Sequence, residues 1–158
     1  MMTLSDDALP PLRREVQRLL GRCLLRLQQY ERLIKSMVAH HEISGPIHTL
    51  EAVQAERIAN TARLTLGTLV GDLLGSYLVP NEIGTPIEAM ASCPDDAISF
   101  GMRMHLELSD SDFAQTENEL KELVLLRNNL VHHFIDQHDL GSLDGCRSAT
   151  DEAVAELC

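Results

Sequence analysis

Seven consecutive residues, Arg127-Asn128-Asn129-Leu130-Val131-His132-His133, hold the densest polar cluster in an otherwise apolar helical stretch of this 158-residue chain. Two adjacent asparagines weaken a helix and a following pair of histidines adds nothing to packing, so something other than stability is expected to hold them there. Their chemistries are complementary. A guanidinium grips a phosphate through a bidentate fork, an amide orients it, and an imidazole moves protons near neutral pH. The carboxylate cluster that a magnesium site needs is missing, so the reaction that suits this set is metal-free cleavage of RNA. A base deprotonates the 2'-OH, whose oxygen then attacks the adjacent phosphate. On α-helical spacing Asn128 and His132, four apart, share a face, as do Asn129 and His133, while Arg127 lies about 100° round from Asn128 and must reach. The looser spacing Arg127 to His133 is also present, but helix geometry favours His132, because His133 is turned about 100° away from the face of Asn128. The bland alternative is a helix end whose histidines sit near the C-terminal dipole and whose Arg127 pairs with an acid such as Glu122.

A second set of candidates lies near the start of the chain. Arg14, Arg18, Arg22 and Arg26 form an i, i+4 ladder with no acid on its own row, suited to guiding an RNA backbone; the competing reading is a solvated helix face. His40-His41, and the group His132, His133, Asp136, His138 and Asp139, contain metal-ligating residue types, but solvated helix ends explain them better, and neither a metal nor a cofactor is expected. Cys23, Cys93, Cys146 and Cys158 are too dispersed for a zinc ribbon or a disulfide framework and read as structural or spare thiols.

The elements that must position these residues are mostly helical. Apolar residues recur at period 3.6 from Leu12 to about His41, behind Pro10 and Pro11, which predicts one long helix. Ser44-Gly45-Pro46 reads as a turn, and Ile47 to about Val79 as a second long helix, making an antiparallel hairpin. Gly67, Gly71 and Gly75 fall on one face of that second helix and predict close helix–helix approach, within the chain or across a dimer. Residues 80–97, with three prolines, form an irregular connection. Ile98 to Leu108 alternates apolar and polar, the pattern of a half-buried strand that needs a partner in the preceding connection or in a second copy. Ser109-Asp110-Ser111-Asp112 supplies N-cap residues for a third helix reaching about Asp136, and a fourth runs from Ser142 to Cys158. No stop signal follows it, so the natural chain is expected to continue past Cys158.

Length predicts a single domain over 1–158, and 44% hydrophobic residues suffice for one core. Aromatics at 3%, with no Trp, argue against an all-β fold. Leu64 to Pro80 is too short and carries Asp72, so no membrane span is predicted, and the acidic N-terminus lacks the features of a signal peptide; a cytoplasmic location is expected. The net charge of -11 argues against general nucleic-acid binding, yet residues 1–63 carry nine Lys or Arg against seven acids and residues 64–158 four against seventeen. Only the first helix offers a basic surface.

Arg127-Asn128-Asn129-Leu130-Val131-His132 resembles the R-x4-6-H signature, with a polar residue after the Arg, of the HEPN superfamily of helical ribonucleases. The expected helical hairpin followed by a motif-bearing helix is similar to that fold. The resemblance implies a mostly α, HEPN-like bundle, dimerisation that joins two motifs in one composite cleft, and metal-independent endoribonuclease activity in toxin–antitoxin, phage-defence or RNA-processing systems. It implies catalytic roles for Arg127 and His132 and a supporting one for Asn128; adjacent His133 is held as a second supporting candidate. Where two-gene toxins of that type often carry a Tyr that their antitoxin modifies, two places after the His, this chain has Phe134. Leu19-Leu20-Gly21-Arg22-Cys23-Leu24-Leu25, with the segment Arg127 to Phe134, also looks like the N-terminal region of bacterial proteins bearing OST-HTH (LOTUS) RNA-binding domains. The implied partners are RNA, a second copy, and an antitoxin or an OST-HTH-domain protein. Two alternatives stand beside the nuclease: a catalytically silent RNA-binding or dimerisation module, and an acidic antitoxin or adaptor.

Overall fold

Pro10 and Pro11 occupy the first turn of α1 (Leu9–His40), where a missing N–H leaves no intrahelical bond unmade. The stripe expected along this helix is present: Val16, Leu19, Cys23, Leu27, Ile34 and Val38 are all buried. The computed structural model describes residues 8–81 and 98–157 and is mostly α-helical across them. By contact density the described chain divides into two compact units. One joins the residues up to Tyr30 with those from Leu125 onward, and the other spans Glu31–Val124.

In the Glu31–Val124 unit the predicted second long helix is broken. After a short 3-10 turn (Ile47–Thr49) come α2 (Leu50–Ala62) and α3 (Leu66–Ser76). The cause lies at Thr65, which is extended (ψ 158°) and whose hydroxyl accepts the Thr68 N–H at 3.3 Å, an N-cap that starts a new helix. The two halves also differ in their use of apolar residues. Val53 and Ile58 of α2 are exposed, whereas Leu66, Leu69, Val70 and Leu73 of α3 form the core with Ile34, Val38 and Leu78. The polar side chains of α2 serve the end of α1 instead, where carbonyls lack helical partners: Gln54 donates to the Ala39 carbonyl at 3.1 Å, and Arg57 donates to that of Val38 through Nε and Nη2 at 3.3 and 3.1 Å.

The strands also depart from expectation. Ser44-Gly45-Pro46 is no turn but the end of β1 (Glu42–Pro46), which pairs antiparallel with β3 (Ser99–Arg103) in the register Glu42 to Arg103. Gly45 adopts φ 149°, open to glycine, and Pro46 holds its predecessor extended. The end of the predicted second helix is β2 (Leu78–Pro80), parallel to β4 (Leu106–Leu108), because Pro80 disfavours helical backbone at Val79. The Ile98–Leu108 run is therefore two strands whose partners come from segments read as turn and helix, and it is not half-buried: Ile98, Phe100, Met102, Met104 and Leu106 are exposed. Of the predicted connection, residues 82–97 lie outside the described residues. Among the described residues the glycine face makes no tight approach: a Cβ on Gly67 would make only ordinary contact with Val124, and one on Gly71 or Gly75 would meet no described atom within 4 Å.

The third helix begins as predicted. In α4 (Asp110–Asn128) the Ser109 hydroxyl caps the Asp112 N–H at 3.2 Å. Phe113, Leu120, Leu123 and Val124 pack on the core of the Glu31–Val124 unit. The helix then widens into a π turn (Asn129–His133) and resumes as α5 (Phe134–Gln137). After a loop comes α6 (Leu143–Leu157), whose Cys146, Ala149 and Ala153 are buried. Gly145 permits the loop before α6 to close on it: a Cβ there would lie 2.1 Å from the Asp139 carbonyl oxygen. Among the described residues no helix is long and apolar enough to cross a membrane.

Candidate ribonuclease site

The π turn determines which motif residues meet. In an α-helix residues 127 and 132, five apart, lie about 140° apart around the axis, whereas a π turn bonds i to i+5 and brings such residues onto one face. Arg127 Nη1 accordingly lies 3.2 Å from His132 Nε2. A guanidinium only donates, so Nε2 is the acceptor and carries no proton in this contact. The same Nη1 donates to Asn128 Oδ1 at 3.4 Å, so Asn128 touches Arg127 rather than His132. The expected Asn128–His132 pairing on α-helical spacing is thus replaced by Arg127–His132, and Arg127 turns along its own helix instead of pairing with an acid.

The Asn129–His133 pairing dissolves for the same reason. Asn129 Nδ2 donates to Glu152 Oε1 at 3.2 Å, while the exposed His133 ring stands edge-on to His132 with centroids 6.3 Å apart. Leu130 and Phe134, buried at i and i+4, anchor this segment from below. Phe134 also packs against the ring of His138 at 4.8 Å, and His138 Nε2 lies 2.9 Å from Glu152 Oε2. Glu152 and the structural role of His138 escaped the sequence reading. The only local signal for Glu152 is its place beside Ala149 and Ala153 on the buried side of an otherwise acidic helix.

Arg14, Arg18, Arg22 and Arg26 are all exposed on α1. Arg18 is committed locally, because Glu15, three residues earlier on a neighbouring row, takes its Nε at 2.8 Å and its Nη2 as well. This fork holds the Glu15 carboxyl below the usual carboxylate range and raises the Arg18 guanidinium. Arg13, outside the ladder, donates to the Leu140 carbonyl at 3.2 Å. Of the metal-ligating types, His40 Nδ1 bonds the Ser36 carbonyl and buried His41 Nδ1 that of Val38. Among the described residues no three His, Cys, Asp or Glu side chains come together as a metal would require. Cys23 and Cys146 are buried, with Cys23 Sγ 3.8 Å from the Ala153 carbonyl oxygen and Cys146 Sγ 3.5 Å from that of Leu140.

No family model, curated protein or solved structure matches the chain.

Proposed function

We propose that this chain is a metal-independent endoribonuclease of the HEPN type, acting as a homodimer. The observation that carries the reading is the 3.2 Å contact between Arg127 Nη1 and His132 Nε2 across the π turn. It unites a phosphate-binding fork and an unprotonated imidazole nitrogen at an exposed helix end. In the reaction the RNA phosphate draws the guanidinium away, which frees Nε2. His132 takes the 2'-OH proton, the 2'-oxygen attacks phosphorus, and the 5'-oxygen leaves with a proton from the second copy's motif or from water. The products are a 2',3'-cyclic phosphate and a 5'-OH end. Asn128 orients Arg127, and the exposed row Arg14, Arg18, Arg22 and Arg26 guides the backbone.

A dimer suits both the site and its surroundings. Leu125, Val131 and Ile135, beside the motif, are exposed at 67%, 47% and 78%, an apolar neighbourhood that a second copy would cover. The test is cleavage of a single-stranded RNA by wild type and His132→Ala. We expect a loss of about a hundredfold or more in the variant, no effect of EDTA on wild type, and cyclic-phosphate termini. The rival reading, a silent RNA-binding module, is favoured by the occupied Nε2 lone pair of the resting chain; binding without cleavage of any RNA would establish it.

A further inference from the structure

We infer that Glu152, on α6, is a positioning residue that holds the π turn open and thereby keeps His132 against Arg127. The inference rests on the proposed reading of that pair as the reactive site. One carboxylate reaches both ends of the segment that carries His132. Oε1 accepts from Asn129, the first residue of the π turn, at 3.2 Å, and Oε2 accepts from His138, just beyond α5, at 2.9 Å. His138 is buried and seated against Phe134, so this end of the clamp is fixed. Glu152 is fixed in turn by α6, whose buried Cys146, Ala149 and Ala153 flank it in sequence.

A clamp is needed because a π turn is rare and the α-helix on either side is the geometry a helix ordinarily takes. Released, the turn tightens to α geometry, and residues 127 and 132 separate by about 140° around the axis, too far for one imidazole and one guanidinium to serve the same phosphate. Glu152 touches neither reacting group in this scheme and acts only through Asn129 and His138.

The experiment compares the full wild-type chain with Glu152→Ala, Glu152→Gln and Asn129→Ala by NMR and by kinetics on a single-stranded RNA oligonucleotide. In wild type the ring protons of His132 are expected to show Overhauser contacts to the Arg127 side chain, given the 3.2 Å contact between the two groups. We expect Glu152→Ala to lose these contacts and to lower kcat by about a hundredfold, the scale of a misplacement of roughly 1 Å, with KM unchanged. Glu152→Gln, which keeps the shape and one acceptor, should retain the contacts and most of kcat. Asn129→Ala removes one arm alone and reproduces the loss even where Glu152→Ala does not fold. The idea is overturned by Overhauser contacts and kcat that persist in Asn129→Ala and in folded Glu152→Ala. A wild type that cleaves nothing rejects the nuclease reading but leaves the Overhauser comparison to decide the clamp.

Discussion

Arg127 donates from one nitrogen to both Asn128 and His132, so its role depends on the shape of a guanidinium as much as on its charge. Replacement by Lys keeps the charge and loses the fork. We therefore expect Arg127→Lys to reduce cleavage nearly as far as Arg127→Ala, measured as kcat/KM on one RNA; a Lys variant within about threefold of wild type would show that charge alone suffices. His133→Ala should keep most activity, because its ring is exposed and Asn129, its supposed companion, is engaged by Glu152. At this scale the residue types were legible and the contacts were not. Arg127 and His132 stand out by chemistry alone, but their meeting depends on one extra residue per turn, which no helical wheel drawn at period 3.6 contains. Glu152 was illegible because it lies 20 residues beyond His132, in a helix where an acid looks like ordinary solvated charge.

Elements with a continuous stripe and a clear start were legible, and those fixed by distant partners were not. α1 and the capped start of α4 follow from periodicity, prolines and a serine. The second helix broke because Thr65 caps a new one without any Gly or Pro to announce it, and Gly45 and Pro46, turn residues by type, lie in a strand because β3 offers them a ladder. Glu42 secures that ladder. Its carboxyl bonds Arg103 at 3.0 Å and faces Arg57 at 3.9 Å and buried His41 at 4.0 Å. The Arg103 hydrogen bond first, then the charges of Arg103, Arg57 and His41, hold it below its ordinary value of 4.5. A depressed carboxylate stabilises the folded state above its unfolded pKa and loses that contribution as pH falls through the folded value. Thermal melts should therefore show a fall in stability below pH 4.5 of about 1 kcal/mol or less, given the partial exposure of the pair, and Glu42→Gln should remove that part of the slope. An identical slope in the variant would assign the acid sensitivity elsewhere.

For the molecule as a whole, the proposed function asks that a chain of net charge -11 meet RNA locally, by a few arginines, in a site that a second copy completes over the exposed Leu125, Val131 and Ile135. Light scattering at micromolar concentration should give about twice 17.5 kDa, and Ile135→Glu should return the chain to monomer and abolish cleavage together. A monomeric wild type that still cleaves would confine the chemistry to one copy. Gly145 shows how the regularity of a pattern differs from its necessity. The repeating Gly67, Gly71 and Gly75 draw the eye, yet among the described residues alanine there meets at most an ordinary contact. The unpatterned Gly145 is a position at which drift is closed, because the smallest side chain would strike a backbone carbonyl that has no rotamer to escape into. Across variants of this chain, tolerance to substitution should thus be lowest at a glycine that no periodicity marks.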